Sequence, residues 1–320
     1  MSSLQVVKYE SAKKDAWDKF VAQSKNGVFL FYRDYMDYHA DRFPDYSLMF
    51  YNERGQIVAL LPATIKDDVL SSHAGLTFGG IVTNADMKVG LMLEAFDVMI
   101  RTLRTQNLCQ LLYKTVPHIY HRLPAEEDLY ALFRYGARLY RRDVTLTLDL
   151  SARLPFSKGR KWALKQAQKA GFEVNRSFDF DSFMAIAEHV LVTKYHTLPV
   201  HTAAEIKLLA GRFPDNIKLF AAYRADAMKA GVIIYESERV AHAQYVGAQE
   251  EEHNCGPLDL VMNYLINDYY ATKPLFDFGV STEPIPRYLN NGLIENKQSY
   301  GARAIAHDFY EIDLHADPGK

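Results

Sequence analysis

Two four-residue motifs occur twice in this chain of 320 residues, in the same order and at similar spacing. Arg-Phe-Pro-Asp begins at Arg42 and again at Arg212, while Tyr-Gly-Ala-Arg begins at Tyr135 and again at Tyr300. The offsets are 170 residues (212 − 42) and 165 residues (300 − 135). Self-similarity at a nearly fixed period indicates repeated structural units. We therefore predict that the chain consists of two copies of one fold.

The two copies are expected at residues 1–150 and 151–320, since a domain commonly has about 150 residues. Hydrophobic periodicity predicts the same order of elements in both: two helices, three antiparallel strands, and then helix, strand, helix and strand. In each copy the Gly of Tyr-Gly-Ala-Arg is expected to end a helix and to turn the chain into the closing strand. The predicted fold class is α+β, with a mixed, mostly antiparallel sheet and flanking helices in each domain.

The composition is that of a globular protein, with 48% hydrophobic residues and a formal net charge of only −2. This balance creates no overall field that would draw the chain to DNA or to a membrane. The two cysteines, Cys109 and Cys255, are too few for a disulfide framework and suit a reducing compartment. The N-terminus has no signal-peptide pattern, and no apolar run is long enough to cross a bilayer. We expect a cytoplasmic protein without membrane insertion or a DNA partner.

The order of elements is similar to that of the GNAT acyltransferase fold. In that fold two neighbouring strands splay apart, and the following helix presents its N-terminus to the pyrophosphate of an acyl-CoA. Two such domains in tandem resemble the Fem-type (FemABX) aminoacyl transferases and their BioF2-like, acetyltransferase-like relatives, which are found near bacterial envelope polysaccharide genes. The segments that carry the resemblance are residues 157–171, 198–223, 240–247, 257–266 and 296–303.

The last of these segments, Asn-Lys-Gln-Ser-Tyr-Gly-Ala-Arg, is similar to the relatives' motif of Phe-Lys, two further residues, and Phe-Gly. Lys297 and Gly301 match that motif, whereas Asn296 and Tyr300 stand where the relatives have Phe. Two other family features are absent from the sequence. The long helical-hairpin arm of the Fem enzymes has no room in the second half, and the Gln/Arg-x-x-Gly-x-Gly/Ala signature of acyl-CoA-binding GNATs does not occur.

The resemblance places the candidate active site in the second half, at a splay between residues 241–247 and residues 275–281. Strand alternation puts His242 and Gln244 on one face of the sheet and Tyr245 on the other. With a reference pKa near 6.5, His242 suits a general base at neutral pH, although a hydrogen-bonded structural histidine is an equally good interpretation.

Asp277 lies in the second splayed strand between two phenylalanines, so its carboxylate needs either a partner or a function. A structural salt bridge is the alternative to a catalytic role. Lys297 belongs to the motif segment, where its ammonium group would contact a phosphate or polarise the acyl carbonyl. Tyr300 of the same segment completes the candidate catalytic residues.

The donor loop is expected at residues 247–259. Pro257 at the first turn of the following helix leaves free N–H groups beside it, which favours an anion such as the CoA pyrophosphate. Glu250, Glu251 and Glu252 in the same loop oppose that interpretation, because carboxylates repel a pyrophosphate. We expect acyl-CoA as donor and no metal. The candidate donor-binding residues are Val246, Gly247, Asn254, Gly256 and Leu258.

A basic helix is predicted at residues 157–171, with a stripe of lysines opposite an alanine-rich face. Between Ser151 and Phe172 there are six positive residues and no acidic one. This distribution favours an anionic ligand, although a solvated lysine face explains it as well. The candidate substrate-binding residues are Gln244, Lys114, His118, Tyr195, His196, His201, Lys161 and Lys165.

Three functions are compatible with these features. The first is an N-acyltransferase that moves an acyl group from acyl-CoA to an amino group of a sugar, peptide or nucleotide-linked envelope precursor. The second is a Fem-like transferase that takes its aminoacyl group from aminoacyl-tRNA, the only setting in which we expect tRNA as a partner. The third is a binding module that kept the tandem fold without catalysis.

Overall fold

The computed structural model describes residues 4–282 and 288–316, which form two compact units. The first unit contains residues 4–143 and 306–316, and the second contains residues 144–282 and 288–305. These bounds differ from a division of the chain after residue 150, because the final residues belong to the first unit. None of the helices formed by the described residues has the length and hydropathy that crossing a bilayer requires.

The helices and strands follow the chain in this order. The α-helices are α1 (Lys14–Gln23), α2 (Arg33–Met36), α3 (Val89–Thr105), α4 (Glu127–Arg134), α5 (Lys158–Lys169), α6 (Phe180–Tyr195), α7 (Ala203–Arg212), α8 (Pro257–Tyr264) and α9 (Asn291–Gln298). The strands are β1 (Leu4–Lys8), β2 (Leu48–Asn52), β3 (Ile57–Leu61), β4 (Thr64–Lys66), β5 (Val69–Ser71), β6 (Val82–Thr83), β7 (Gln110–Lys114), β8 (Arg138–Asp149), β9 (Glu173–Ser177), β10 (Ile217–Arg224), β11 (Ala227–Glu236), β12 (Val240–Ala248), β13 (Leu275–Val280) and β14 (Arg303–Asp313).

The sheets are mixed and mostly antiparallel, which confirms the predicted fold class. In the first unit β1, β2, β3 and β6 are neighbours in one sheet, and β4, β5, β7 and β14 are neighbours in another. In the second unit the order is β8-β13-β12-β11-β10-β9. The pairs β10–β11 and β11–β12 are antiparallel, as the three-strand prediction requires, whereas β12 and β13 run parallel.

Helices cover both faces of the sheet in the second unit. Ala241 and Ala243 of β12 belong to the hydrophobic core that α8 shares with β10, β11 and β13. Gly247 faces α6 instead, since a Cβ built on it would touch Ile186 and Ala187. The two faces of β12 therefore have different neighbours, α8 on one side and α6 on the other.

The glycine of the repeated Tyr-Gly-Ala-Arg motif has a positive φ both times. Gly136 follows α4 with a φ of 67°, and Gly301 follows α9 with a φ of 96°. Both values lie in the left-handed region, which glycine adopts without the steric cost that a side chain brings. Closing strands start directly afterwards, at Arg138 and Arg303. The expectation that each Gly ends a helix and turns the chain into a strand is confirmed.

The two motif glycines differ in the space around them, which gives a stability test. A Cβ built on Gly136 meets nothing within 4 Å, whereas one built on Gly301 lies 2.5 Å from the carbonyl oxygen of Leu154. We expect Gly136→Ala to lower the free energy of unfolding by about 1 kcal/mol, the cost of the left-handed conformation, and Gly301→Ala to lower it clearly more. Urea unfolding followed by circular dichroism measures both, and equal losses contradict the expectation.

Candidate active site

The strands β12 and β13 splay apart at the predicted place. Their parallel pairing ends with His242 opposite Asp277. Beyond that point β12 continues to Ala248 and β13 to Val280 without further pairing between them among the described residues. One edge of β12 therefore offers backbone N–H and C=O groups to a ligand that enters the gap.

A β-bulge at Gln244 re-aims the residues of β12. Before it, His242 pairs with Tyr235; after it, Tyr245 pairs with Ile233, and Gln244 has no partner on β11. Tyr235 and Ile233 are two residues apart on β11 and so share a face of the sheet. Tyr245 therefore lies on the same face as His242. The expectation that it lies on the opposite face is wrong, because the extra residue shifts the alternation by one.

His242 and Asp277 form a hydrogen-bonded pair at this splay. The imidazole Nδ1 lies 2.7 Å from Asp277 Oδ2. The Asp277 carboxylate is completely buried, and its Oδ1 accepts hydrogen bonds from the hydroxyls of Thr145 and Thr147 on β8, the latter at 2.9 Å. An ionised Asp277 requires a proton on Nδ1, which leaves Nε2 of His242 as the proton acceptor.

Gly279 lets the imidazole approach the backbone of β13. The pairing of β13 with β8 shifts between Asp277 and Val280, and Gly279 in this bulge has a φ of 76°. A Cβ built on Gly279 would lie 3.2 Å from Cε1 of His242. Any other residue here would both strain the backbone and crowd the ring.

Lys297 binds backbone carbonyl groups of the same bulge. Its Nζ donates hydrogen bonds to the carbonyl oxygens of Gly279 and Val280, both at 2.8 Å. Burial lowers the pKa of Lys297 to about 8, and the negative charge of Asp277 opposes that shift. An ammonium group has three donors, and two of them fix the bulge beside His242.

Tyr300 belongs to the other face of the sheet. Its ring stacks on Phe278 with centroids 5.4 Å apart and lies in the core together with Ala241. Its hydroxyl donates to Asp259 Oδ1 at 3.0 Å, and Arg160 lies 4.2 Å over the ring. Burial raises the pKa of Tyr300. Since His242 faces away from this core, the structure does not bring Tyr300 to His242 and Asp277.

The part of the chain that contains His242, Asp277 and Gly279 matches a known family model. Residues 156–288 match the model described as the acetyltransferase (GNAT) domain, and this range includes β12, β13 and α8. This segment is a GNAT domain. Among curated proteins, none matches the chain.

Solved structures show that the fold extends beyond that segment. FemX has a TM-score of 0.68 and 10% identity, with 96% of each chain covered. L-PGS from Bacillus licheniformis has a TM-score of 0.58 and 11% identity, covering 97% of this chain and 94% of its own. A tandem GNAT protein from the clavulanic acid biosynthesis pathway has a TM-score of 0.50 and 11% identity, covering 98% and 99%. At these identities the likeness concerns the tandem fold alone.

The start of α8 in the GNAT domain is already in contact with protein. Gly256 precedes the helix with a φ of 65°, and a Cβ built on it would overlap the carbonyl oxygen of Ala163 in α5. Asp259 in the first turn of α8 binds Arg160 at 3.0 Å. The predicted anion site at this helix end thus contains a carboxylate, and helix α5 packs against it.

The other predicted donor residues have diverse surroundings. Glu252 is buried and paired with Arg224, with Lys229 at 3.7 Å, so the loop carries less unpaired negative charge than its sequence indicates. Val246 is exposed, Gly247 packs on α6, and Leu258 packs partly against the core. The side chain of Asn254 lies outside the described residues.

The predicted acceptor residues belong to two different units and have different surroundings in each. In the first unit Lys114 donates to the carbonyl oxygens of His73, Ala74 and Leu76, and burial lowers its pKa to about 8, while His118 is exposed. In the GNAT domain Gln244 is half-buried, His196 ends α6 in an exposed left-handed conformation, and the side chain of Tyr195 lies outside the described residues.

The remaining predicted substrate residues lie just before α7 and on α5. His201 is buried, and its Nδ1 lies 2.8 Å from the Tyr245 hydroxyl, so it fixes the segment before α7 on the face of the sheet that carries His242. Lys161 and Lys165 lie on the exposed side of α5. Thr145, Thr147 and Gly279 were not among the candidates, although the alternating Val-Thr-Leu-Thr-Leu of β8 signals two hydroxyls on one face.

The lowered pKa of Lys297 predicts how stability depends on pH. Between pH 8 and 10.5 the native state has lost a proton that the unfolded state still binds, so the free energy of unfolding rises with pH. Relative to Lys297→Met, the wild type should gain at most about 3 kcal/mol across this window. Lys114, whose pKa burial also lowers to about 8, is present in both proteins and cancels. Denaturant titrations at several pH values test this, and a constant difference contradicts it.

Proposed function

We propose that the protein is an N-acyltransferase that transfers an acyl group from acyl-CoA to an amino group of a sugar, peptide or nucleotide-linked envelope precursor. The observation that supports this best is the His242–Asp277 pair where β12 and β13 diverge. It combines a proton acceptor that is fixed in orientation with an open strand edge beside it, and amine acylation needs both.

The proposed reaction uses few side chains. The acceptor amine attacks the acyl carbonyl while Nε2 of His242 takes the proton that the nitrogen loses. Unpaired N–H groups on the edge of β12 stabilise the charge that develops on the carbonyl oxygen. The C–N bond is then complete, the C–S bond breaks, and the proton passes from His242 to the leaving thiolate. Asp277 keeps the imidazole in the required tautomer throughout, and Lys297 holds the bulge that sets its position.

A second candidate donor is aminoacyl-tRNA. Two contacts favour it: Ala163 packs against Gly256, and Asp259 occupies the first turn of α8. Both features disfavour a pyrophosphate at this helix end. The exposed lysines of α5 would suit the phosphates of tRNA.

Thermal denaturation with millimolar CoA or acetyl-CoA distinguishes the donors. A ligand at 100 times its Kd stabilises the native state by about 2.7 kcal/mol, which raises Tm by several degrees. A clear rise supports acyl-CoA. No rise, together with tRNA binding that weakens steeply with salt, supports aminoacyl-tRNA. Ligand binding without turnover of any amine would indicate a binding module.

Substitutions of the pair test the proposed base. His242→Gln and Asp277→Asn should each lower kcat by at least about 100-fold, the lower range for the loss of general base catalysis. His189→Gln is the matched control, since His189 is an exposed histidine of the same domain on α6 and should retain full activity. Circular dichroism first confirms that each variant folds, and steady-state kinetics then measure kcat. Full activity in His242→Gln would exclude this role.

A further inference from the structure

A cleft of about 400 Å³ lies between α5 and α8 in the second unit, and it has no part in the proposed reaction. Phe156 and Leu164 line it from the side of α5, and Ile266 lines it beyond the end of α8. Leu148 and Tyr300 line it from the sheet and the closing turn. Its volume falls within the range of small-molecule sites, which are mostly apolar.

The walls of this α5–α8 cleft are largely apolar, and Tyr300, Arg153 and Asn267 in them already form hydrogen bonds within the protein. The Tyr300 hydroxyl is bonded to Asp259, so Tyr300 contributes a ring. Arg153 also lines the cleft, but its guanidinium donates to Asn267 Oδ1 at 2.8 Å and to the carbonyl oxygen of Ala271 at 2.9 Å. An alkyl chain would therefore bury apolar surface here without breaking hydrogen bonds or leaving them unmade.

The opening of the α5–α8 cleft is basic. Lys161 lines it and is exposed, and no ion pair of Lys161 occurs among residues 4–282 and 288–316. The sequence between Ser151 and Phe172 contains six positively charged residues and no acidic one. Trp162, 59% exposed, lies within the same stripe of α5. An apolar interior with a cationic opening complements a molecule that has an apolar tail and an anionic head.

We propose that the α5–α8 cleft binds an amphiphilic anion, with its alkyl chain between the helices and its phosphate or carboxylate head on Lys161. This site is separate from the proposed catalytic pair. Asn263, Ile266 and Asn267 line the cleft at and beyond the C-terminal end of α8. Leu148 lines it from the core face of the sheet, whereas His242 lies on the opposite face. The proposal therefore does not depend on a catalytic role of His242.

The test titrates the whole chain with decyl phosphate and measures heat by calorimetry. Trp162 fluorescence is a second signal, because the only other tryptophan, Trp17, is fully buried in the first unit. We expect decyl phosphate to bind at least tenfold more tightly than either decanol or inorganic phosphate. A parallel titration with decanoate identifies the preferred head group. Binding of decyl phosphate or of decanoate that is tighter than binding of decanol supports the site, and the tighter of the two anions identifies the head group.

Two variants locate the binding. Lys161→Ala should weaken decyl phosphate binding at least fivefold, whereas Lys169→Ala, on the same stripe but not lining the cleft, should leave it unchanged. Leu164→Phe fills part of the cleft and should also weaken binding, with circular dichroism to confirm that the variant folds. Equal effects of the two lysine variants, or decanol binding as tightly as decyl phosphate, would overturn the proposal. If a short RNA competes with decyl phosphate, and if both lysine variants weaken its binding equally, the lysine stripe of α5 would be assigned to nucleic acid instead.

Discussion

The buried carboxylate of Asp277 is the constraint on which the second unit depends. A fully buried, ionised carboxylate is costly unless hydrogen-bond donors surround it. Here the donors come from neighbouring strands: Thr145 and Thr147 from β8 on one side, and His242 from β12 on the other. Satisfying Asp277 therefore requires β13 to lie between β8 and β12 in one register. The same bonds orient the imidazole at the point where the strands separate.

The repeat concerns folding rather than this chemistry. Tyr300 and Tyr135 are 165 residues apart. The residue 165 positions before Asp277 is Leu112, so the first half has no carboxylate at that place in the sequence. The first unit buries a different carboxylate, Asp128, which accepts a hydrogen bond from the Tyr113 hydroxyl and whose pKa burial raises to about 6. Two copies can share a turn at the end of a helix while they bury different carboxylates.

The repeated motifs and hydrophobic periodicity predicted two copies of one fold, and the resemblance to the GNAT and Fem-type proteins predicted the splay and three residues that the structure brings together: His242, Asp277 and Lys297. The repeats and the periodicity are visible in the sequence itself, whereas the place of the site was implied by the resemblance. The β-bulge at Gln244 was not predictable, because an inserted residue in one strand is defined only by its partner strand.

Long-range packing explains the other differences. The place of Tyr300 depends on its contacts with Phe278 and Asp259, which are 22 and 41 residues away in sequence (300 − 278 and 300 − 259). The contact between Gly256 and Ala163 depends on helix α5, which lies about 90 residues earlier in the chain. Strand β1, which the periodicity did not predict, is only five residues long and is held by pairing with β2.

The most direct test of this account is the tautomer of His242, read from the nitrogen chemical shifts of its ring by NMR spectroscopy. We expect the neutral ring to carry its proton on Nδ1, bonded to Asp277, with Nε2 unprotonated and available to an amine. In Asp277→Asn this preference should disappear, which also assigns the signal. A proton on Nε2 of the neutral wild-type ring would contradict the account, because the nitrogen that has to accept the proton would already carry one.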